Sequence, residues 1–242
     1  MFEIYNEDCL VGMKRIPDGS IDLILTDPPF GSTDCYFDKR ISFEPMWKEF
    51  LRVAKPNAAI ILFSQMPFGA ELIMSNHKMF RYEIIWEKSL GVGFLNSHKM
   101  PLRCHENLLV FYRSLPTYNP QYTRGEPYRA VHARNFTQNY SNQKSSETIS
   151  DGRRYPRDVL YYASTVGREE RYHPQQKPVN LLSYIILTYT NGGERVLDAT
   201  MGSGSTGVAS LQCGRNYIGF EIDPKIFEVA KRRIESTPVP MF

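Results

Sequence analysis

The sequence predicts an α/β fold with a doubly wound, mostly parallel sheet of seven strands and one irregular insertion. Strand-like and helix-like segments alternate along the chain, which is typical of such sheets. Several strand-like segments are apolar at nearly every position, as expected when helices cover both faces of a sheet. Residues 116–178 show neither the period of about 3.6 residues typical of a helix nor the period of about two typical of a strand. A structureless loop of that length indicates a functional or disordered insertion.

Seven segments are short, apolar and mostly β-branched, and they are predicted as strands: 2–5, 21–26, 58–63, 82–86, 107–112, 194–198 and 216–221. Five segments have helical spacing: 9–16, 43–54, 179–190, 203–213 and 224–234. Asp223 followed by Pro224 is a good start for the last helix, because Asp is a favoured N-cap and Pro suits the first turn.

Bulk composition excludes several classes of protein. With 242 residues, 42% hydrophobic and 23% charged, the chain fits one soluble domain carrying a large insertion. No apolar run approaches the roughly 18 residues of a membrane span, and the first residues lack the pattern of a signal peptide. Four scattered cysteines (Cys9, Cys35, Cys104 and Cys213) have no metal-ligand spacing. We therefore expect no metal site, free thiols and a cytoplasmic location.

Positive charge is concentrated in the middle of the chain. Residues 81–180 contain 15 Lys and Arg against 9 Asp and Glu, and residues 101–172 contain nine of the fifteen tyrosines. Basic and aromatic side chains together suit a polyanion with stackable bases. A solvated loop region of the same composition is the alternative.

A glycine-rich turn follows the predicted strand that ends at Asp198. Gly202-x-Gly204-x-x-Gly207 fits the dinucleotide-binding fingerprint, a weak signal alone. Glu221 ends the next strand, where a carboxylate can bind ribose hydroxyls of NAD or of S-adenosylmethionine. Asp198 would repel a pyrophosphate and would suit the ammonium of a methionine moiety, so charge favours S-adenosylmethionine. A nicotinamide-dependent oxidoreductase and a capped turn without ligand remain alternatives.

The tetrapeptide Asp27-Pro28-Pro29-Phe30 ends another predicted strand. Two prolines make a rigid exit, which holds the Asp27 carboxylate and the Pro28 carbonyl in place. Two such acceptors suit an amino group with two N–H donors, and Phe30 offers a ring on which a base can stack. A simple strand terminator is the alternative interpretation.

The chain resembles the amino-methylating DNA methyltransferases of the permuted β class, in which the catalytic motif precedes the cofactor motif. Segments along most of the chain, except roughly 115–165, carry the resemblance: Asn6-Glu-Asp-Cys-Leu10, Asp27-Pro-Pro-Phe30, Lys55-Pro56-Asn57, His173-Pro-Gln-Gln-Lys-Pro178 with Leu181 and Leu182, residues 198–205, and Glu221. Asn57 replaces a family glycine, and Phe30 replaces the commoner tyrosine. The family's sheet has seven strands, one of them antiparallel.

The resemblance implies a set of site residues. Asp27, Pro28, Pro29 and Phe30 would be catalytic. The cofactor S-adenosylmethionine would be bound by Asp8, Cys9, Asp27, Lys177, Pro178, Asp198, Thr200, Gly202, Ser203, Gly204, Ser205, Thr206, Glu221 and Ile222.

The resemblance also implies an activity on duplex DNA. The target base would flip out, Phe30 would stack on it, and the methyl group would move by direct displacement. Family members with Asp at the first motif position usually methylate adenine N6, and those with Ser usually methylate cytosine N4, so Asp27 favours adenine. The alternatives are cytosine N4, a methyltransferase for RNA or for protein glutamine, and a silent DNA-binding module. A homodimer and a cognate restriction enzyme are candidate partners.

Three regions are expected: a catalytic half (1–114), a target-recognition insertion (115–172) and a cofactor-binding half (173–242). Six arginines of the insertion are candidates for DNA contacts: Arg124, Arg129, Arg134, Arg153, Arg154 and Arg157.

Overall fold

The computed structural model describes residues 1–31, 39–132, 146–164, 172 and 175–238. The chain forms two compact units. The larger comprises Met1–Asn119 and Asp158–Phe242, and the smaller is Pro120–Arg157. None of the helices in the described part is long and apolar enough to cross a membrane.

Eight strands of the larger unit form one sheet. In chain order they are β1 (Phe2–Tyr5), β2 (Ile21–Thr26), β3 (Ala54–Ser64), β4 (Phe80–Val92), β5 (Arg103–Phe111), β10 (Val159–Tyr162), β11 (Arg195–Asp198) and β12 (Asn216–Phe220). Their order across the sheet is β1-β12-β11-β2-β3-β5-β4-β10. Every neighbouring pair is parallel except those of β5, which is antiparallel to β3 and β4.

The predicted α/β class and mostly parallel sheet are confirmed. All seven predicted strands are present, with the single antiparallel strand that the resemblance implied. The sheet has one strand more than predicted, because β10, from the end of the irregular stretch, pairs with β4 at the edge. The strand β4 is also longer than expected, because pairing with β5 extends to Val92.

In the described residues five α-helices connect these strands and a sixth follows β12: α1 (Cys9–Gly12), α2 (Phe43–Val53), α3 (Phe68–Ser75), α4 (Val179–Tyr189), α5 (Ser205–Gln212) and α6 (Pro224–Glu235). The predicted first helix is interrupted, since a 3-10 turn, Met13–Arg15, follows α1. The sequence did not predict α3. Asp223 caps α6 through its side chain, as expected.

The core has two layers, one on each face of the sheet. Leu23 and Leu25 of β2 pack in the layer that contains residues of α4, α5 and α6. Ile24, between them, points to the opposite layer with residues of α2 and α3. This alternation follows from the two-residue period of a strand. The helices therefore cover both faces, which is the doubly wound arrangement.

The smaller unit contains two hairpin-like sheets. Strand β6 (Thr123–Arg124) pairs with β9 (Arg153–Arg154), and β7 (Tyr128–His132) pairs with β8 (Ser146–Ser150), both antiparallel. In sequence, residues 120–157 carry seven Lys and Arg against three Asp and Glu.

The glycines after β11 serve two different purposes. Gly202 and Gly204 have φ of +52° and +81°, a region that side chains disfavour, so they form the turn. Gly207 lies within α5 and allows close packing. A Cβ at Gly207 would lie 2.6 Å from Ile234 Cδ1 of α6 and 2.8 Å from Tyr217 Cε1 of β12.

We predict that Gly207→Ala lowers the free energy of unfolding by about 1–2 kcal/mol. The added methyl group overpacks two buried side chains at a cost of about 2–3 kcal/mol, and the higher helix propensity of alanine offsets about 1 kcal/mol of this loss. Urea denaturation measures the change. Gly192→Ala is the control, since a Cβ there meets no atom within 4 Å. An equally stable Gly207→Ala variant would show that α5 and α6 can move apart at no cost.

Candidate active site

A cavity of about 690 Å³ lies at the carboxyl ends of β2, β11 and β12. Its wall includes Asp27, directly after β2, Asp198, the last residue of β11, and Glu221, directly after β12. Ligands in open α/β sheets bind at this edge. The volume lies within the range of about 300–1,000 Å³ usual for small-molecule sites.

A hydrogen-bonded contact joins the two halves of the site. Thr26 Oγ1 donates to Asp198 Oδ1 at 2.7 Å and lies 2.8 Å from Thr200 Oγ1. Thr200 Oγ1 donates to the backbone carbonyl of Asp27 at 2.9 Å. The tetrapeptide and the glycine turn, about 170 residues apart in sequence, are thereby held together.

Asp198 is a buried carboxylate, and no cation in the described part of the chain pairs with it. Its Oδ1 accepts from Thr26 and from the Thr200 amide. No Lys, Arg or His of the described residues forms an ion pair with it. Burial raises the pKa of Asp198 to about 6, against the opposing hydrogen bonds from Thr206 and Thr26. A bound ammonium would stabilise its charged form.

The glycine turn is tied to Glu221. Gly202 N–H donates to Glu221 Oε2 at 3.0 Å, and the Asp223 amide donates to Oε1 at 2.9 Å. A Cβ built on Gly202 meets no atom within 4 Å, so there is open space beside this turn. Glu221 is thus held at the cavity wall, where ribose hydroxyls could donate to its remaining lone pairs.

Asp8 and Cys9 line the same cavity from the N-terminal segment. Asp8 caps α1, with its Oδ1 accepting from the Leu10 amide at 2.7 Å. Asn6 Nδ2 donates to the carbonyl of Glu221 at 2.8 Å, which fixes this segment beside β12. Burial raises the pKa of the Cys9 thiol to about 12, so it stays protonated and is no nucleophile at neutral pH.

Asp27 forms the end of a buried chain of four alternating charges. Lys177 Nζ lies 2.5 Å from Asp27 Oδ2 and 3.3 Å from Glu106 Oε2. Lys88 Nζ pairs with Glu106 Oε1. The Lys177, Glu106 and Lys88 side chains are only 10%, 8% and 11% exposed. Asp27 Oδ1 is buried and has no hydrogen-bond partner among the described residues.

The pKa values in this chain follow from burial and mutual attraction. Burial alone would lower the pKa of Lys177, but the charges of Asp27 and Glu106 outweigh it and raise that pKa. Burial would raise the pKa of Glu106, but Lys177 and Lys88 hold it below the usual value. Burial raises the pKa of Asp27, and the charge of Lys177 opposes this. Lys177 therefore stays positive beside Asp27.

Phe30 lines the cavity and packs on Phe68 of α3, with ring centroids 5.0 Å apart. Its backbone carbonyl accepts from Arg40 Nε at 2.5 Å, and Arg40 Nη1 pairs with Glu71 at 2.6 Å. The end of the tetrapeptide is therefore held by α3 and by Arg40.

The structure brings most of the predicted site residues together. All four residues of the tetrapeptide line the cavity. The predicted cofactor residues that also line it are Asp8, Cys9, Asp27, Lys177, Asp198, Thr200, Gly202, Ser203, Ser205, Thr206, Glu221 and Ile222. Pro178 and Gly204 do not line it, and they are the N-cap residues of α4 and α5. His173 lies outside the described residues.

The predicted DNA-contacting arginines lie in the smaller unit, and several have partners there. Arg129 pairs with Glu147, and Arg153 lies 2.8 Å from Asp151. Arg124 and Arg157 are exposed, and Arg154, half-buried, donates to Ser150 Oγ at 2.7 Å. Arg134 lies outside the described residues.

Sequence reasoning missed Glu106, Lys88 and Arg40. Glu106 lies two residues before the apolar run 108–111 of β5, and Lys88 follows the apolar part of β4. A charged residue beside a buried strand was the available signal, but only the antiparallel pairing of β4 and β5 brings the two together.

The fold and the site are those of an α/β enzyme. Its cofactor-sized cavity lies between the Asp27 carboxylate, at the Pro28-Pro29 turn, and the glycine turn that follows Asp198. The sequence profile of the DNA methylases matches residues 21–232, so the chain belongs to that family of N6-adenine and N4-cytosine DNA methyltransferases. The cofactor of this family is S-adenosylmethionine. The nicotinamide-dependent alternative is thereby rejected.

Two methyltransferases are similar in sequence to this chain over nearly its whole length. The type II methyltransferase M.HpaI of Haemophilus parainfluenzae is 27% identical over 249 residues, which cover 95% of this chain and 73% of the relative. The DNA adenine methyltransferase YhdJ of Escherichia coli (strain K12) is 29% identical over 258 residues, covering 96% and 82%.

Solved structures share the fold. A complex of M1.HpyAVI with SAM has a TM-score of 0.66 at 24% identity, covering 96% of this chain and 100% of that chain. The PvuII DNA methyltransferase, described as cytosine-N4-specific, has a TM-score of 0.67 at 16% identity, covering 99% and 88%.

The residues at the cavity fit S-adenosylmethionine. Asp198 offers a buried carboxylate for an ammonium, and Glu221 offers one for ribose hydroxyls. The space beside Gly202 lets a ligand approach the backbone closely.

We predict that Glu106→Gln lowers the free energy of unfolding by about 3–5 kcal/mol, because two buried ammonium groups lose a shared partner. Urea denaturation measures the loss. Glu71→Gln is the matched control. It breaks the half-exposed pair with Arg40, and it should cost less than about 1 kcal/mol. Equal losses for the two variants would contradict the structural role of Glu106.

Proposed function

We propose that this DNA methyltransferase transfers the methyl group of S-adenosylmethionine to N6 of adenine in duplex DNA, by base flipping and direct displacement. The observation that carries the proposal is the environment of Asp27. One carboxylate oxygen is held by Lys177, and the other, Oδ1, is buried at the cavity wall without a partner among the described residues. An acceptor in that position lacks a donor, which the amino group of a base would supply.

Asp27 would orient the amino nitrogen. Its Oδ1 and the Pro28 carbonyl accept the two N–H groups, which aims the nitrogen lone pair toward the cofactor side of the cavity. The negative charge stabilises the positive charge that develops on nitrogen. The charge of Lys177 favours the ionised form of Asp27 and, with Thr200 on its backbone carbonyl, Lys177 limits its movement. Phe30 would hold the flipped base by stacking.

When bound, S-adenosylmethionine supplies an electrophilic methyl group on a sulfonium. Asp198 would bind the methionine ammonium, and Glu221 would bind the ribose hydroxyls. The remaining predicted cofactor residues complete the wall between them. Thr26 joins Asp198 to the strand that precedes Asp27. The cofactor and the target base would therefore be held in a fixed position relative to each other.

Two observations favour adenine over cytosine. Asp27 stands where the resemblance associates Asp with adenine N6, and the relative YhdJ is named an adenine methyltransferase. Cytosine N4 is the second candidate, since the family includes both activities.

We also propose that residues 115–172 recognise the target sequence, between a catalytic half (1–114) and a cofactor half (173–242). The part within this segment that forms the separate compact unit is rich in basic residues, which suits phosphates and guanine edges.

Methylation-aware sequencing of DNA from cells expressing the chain tests the proposal, and nucleoside mass spectrometry of the same DNA identifies the product. We expect N6-methyladenine at one sequence motif. Detection of N4-methylcytosine would support the second candidate, methylation of cytosine N4, in place of adenine N6. Unmodified DNA would overturn the proposal.

We predict that Asp27→Asn lowers kcat by about 10²-fold or more, because the variant loses the charge that stabilises the transition state. Affinity for S-adenosylhomocysteine should change little, and calorimetry measures it. Asp18→Asn, at an exposed pair with Arg52, is the control and should keep normal turnover. Near-normal kcat in Asp27→Asn would rule out this mechanism.

We predict that affinity for S-adenosylhomocysteine rises about tenfold between pH 5 and pH 7, because Asp198 ionises near pH 6. The ligand ammonium stays protonated over this window, since α-amino groups have a pKa of about 7.7–8.0. Titration calorimetry at several pH values measures the trend.

Asp198→Asn should bind S-adenosylhomocysteine more weakly than wild type, and its affinity should not change between pH 5 and pH 7. The contribution of Asp198 to the free energy of unfolding changes with pH in the opposite direction to the affinity, and falls as the pH rises. A raised pKa means that the folded state retains a proton, and this contribution is lost as the pH rises from about 4 through 6. The same pH dependence in wild type and variant would assign the titration to another group.

A further inference from the structure

The hairpin that joins β4 to β5 ends in an exposed apolar tip, residues 91–102. Phe94 is 77% exposed and Leu95 is 97% exposed. Exposed apolar side chains nearby are Leu90, Val92, Met100 and Leu102. Several large apolar side chains exposed within one short hairpin cost solubility, and such exposure usually marks an interaction site.

The tip is an ordered turn. Gly93 has a φ of +92°, which lets the chain reverse into a 3-10 turn, Phe94–Asn96. The Asn96 amide donates to the Gly93 carbonyl at 2.9 Å, and the Lys99 and Met100 amides donate to the Asn96 carbonyl at 2.9 and 3.0 Å. The backbone therefore presents Phe94 and Leu95 at its end, where little of this unit covers them.

The charged side chains within the hairpin tip are basic, and the exposed acid Glu87 lies farther back on β4, opposite His105. Residues 89–105 contain Lys99 and Arg103 and no Asp or Glu. Glu106, which follows this segment, is already paired with Lys88 and lies next to Lys177. Apolar side chains flanked by basic ones suit a polyanion that has an apolar interior, and a DNA duplex has both.

The tip also lies at the catalytic edge of the sheet. Strand β4 runs in the same direction as β2, because β3 is parallel to β2 and β5 is antiparallel to both β3 and β4. Its carboxyl end therefore points the same way as the strand end that carries Asp27. Val92 pairs with Arg103, only two residues along β5 from His105, which pairs with Glu87, because β4 is bulged between Glu87 and Val92. At ~3.3 Å per residue, Val92 stands roughly 7 Å beyond the level of Glu87 and of the neighbouring Lys88, the end of the charge chain that leads to Asp27.

We propose that this tip is a wedge that enters the duplex beside the target base, with Phe94 and Leu95 filling the space that the flipped base leaves. The inference rests on the proposed action on duplex DNA. The major groove is about 12 Å wide and about 8.5 Å deep, so it admits a two-stranded ribbon and lets its tip reach the bases. Lys99 and Arg103 would contact the flanking phosphates.

The wedge would stabilise the duplex in which the target base has flipped out. Removing a base breaks its pairing and stacking, and the gap would otherwise fill with water. Apolar side chains inserted between base steps replace part of the lost stacking, as in proteins that kink DNA. A wedge therefore helps most when the target base is paired and helps least when pairing is already broken.

The test compares two substrates, using DNA that carries the recognition sequence found by methylation-aware sequencing. One duplex is fully paired, and the other has a mismatch opposite the target base. The double variant Phe94→Ser/Leu95→Ser should lose about tenfold or more in kcat/KM on paired DNA and remain close to wild type on mismatched DNA. Affinity for S-adenosylhomocysteine should be unchanged.

Met74→Ser is the matched control. Met74 is 71% exposed, but it lies near the end of α3, where the Phe80 amide at the start of β4 donates to the Asn76 carbonyl at the opposite edge of the sheet. It should behave as wild type on both substrates.

Each other outcome overturns the wedge. Equal losses of the double variant on both substrates would indicate a plain binding or structural role. Full activity on both would show that the tip does not act on DNA. A wild-type dimer that becomes monomeric in the variant, by light scattering, would assign the tip to a second copy of the chain. If wild type methylates neither substrate, the proposed function fails instead, which is a separate result.

Discussion

The parallel pairing of β2 with β11 is the constraint on which the rest of the site depends. Leu23 is in register with Val196, and the next residue of β2 is in register with Leu197. This register places the ends of the two strands side by side, and Thr26 closes the contact by donating to Asp198. A slip of one residue would turn every side chain of a strand to the other face.

Buried charge is the second constraint, and it opposes stability. Four ionisable groups in and near the wall of the cavity must be desolvated, and only their alternating order compensates for this. Hydrophobic residues of similar size would often be as stable or more so. The arrangement suits a partly buried carboxylate whose ionised form is favoured by a neighbouring ammonium group, with one oxygen paired and the other available among the described residues.

The site and the irregular stretch illustrate what a sequence can reveal. Asp27, Asp198 and Glu221 each end or follow an apolar strand, so local pattern and the resemblance could predict their chemistry. Glu106 and Lys88 escaped notice because they meet only through the pairing of β4 with β5. Strand β10 is too short to show a period, and its pairing with β4 makes it a strand. The exposed hairpin tip was equally invisible, because apolar residues are normally expected to be buried.

The sequence by itself determined the α/β class, the seven strands of the central sheet, the proline exit at Asp27 and the glycine turn after Asp198. These features depend on local periods, on backbone restrictions of Pro and Gly, and on charge next to strand ends. Only the tertiary structure decided which groups meet. Strand order and register bring Asp27 to Thr200 and Lys177, leave Asp198 without a cation among the described residues, and place the apolar tip at the catalytic edge, because long-range pairing has no signature in a single sequence.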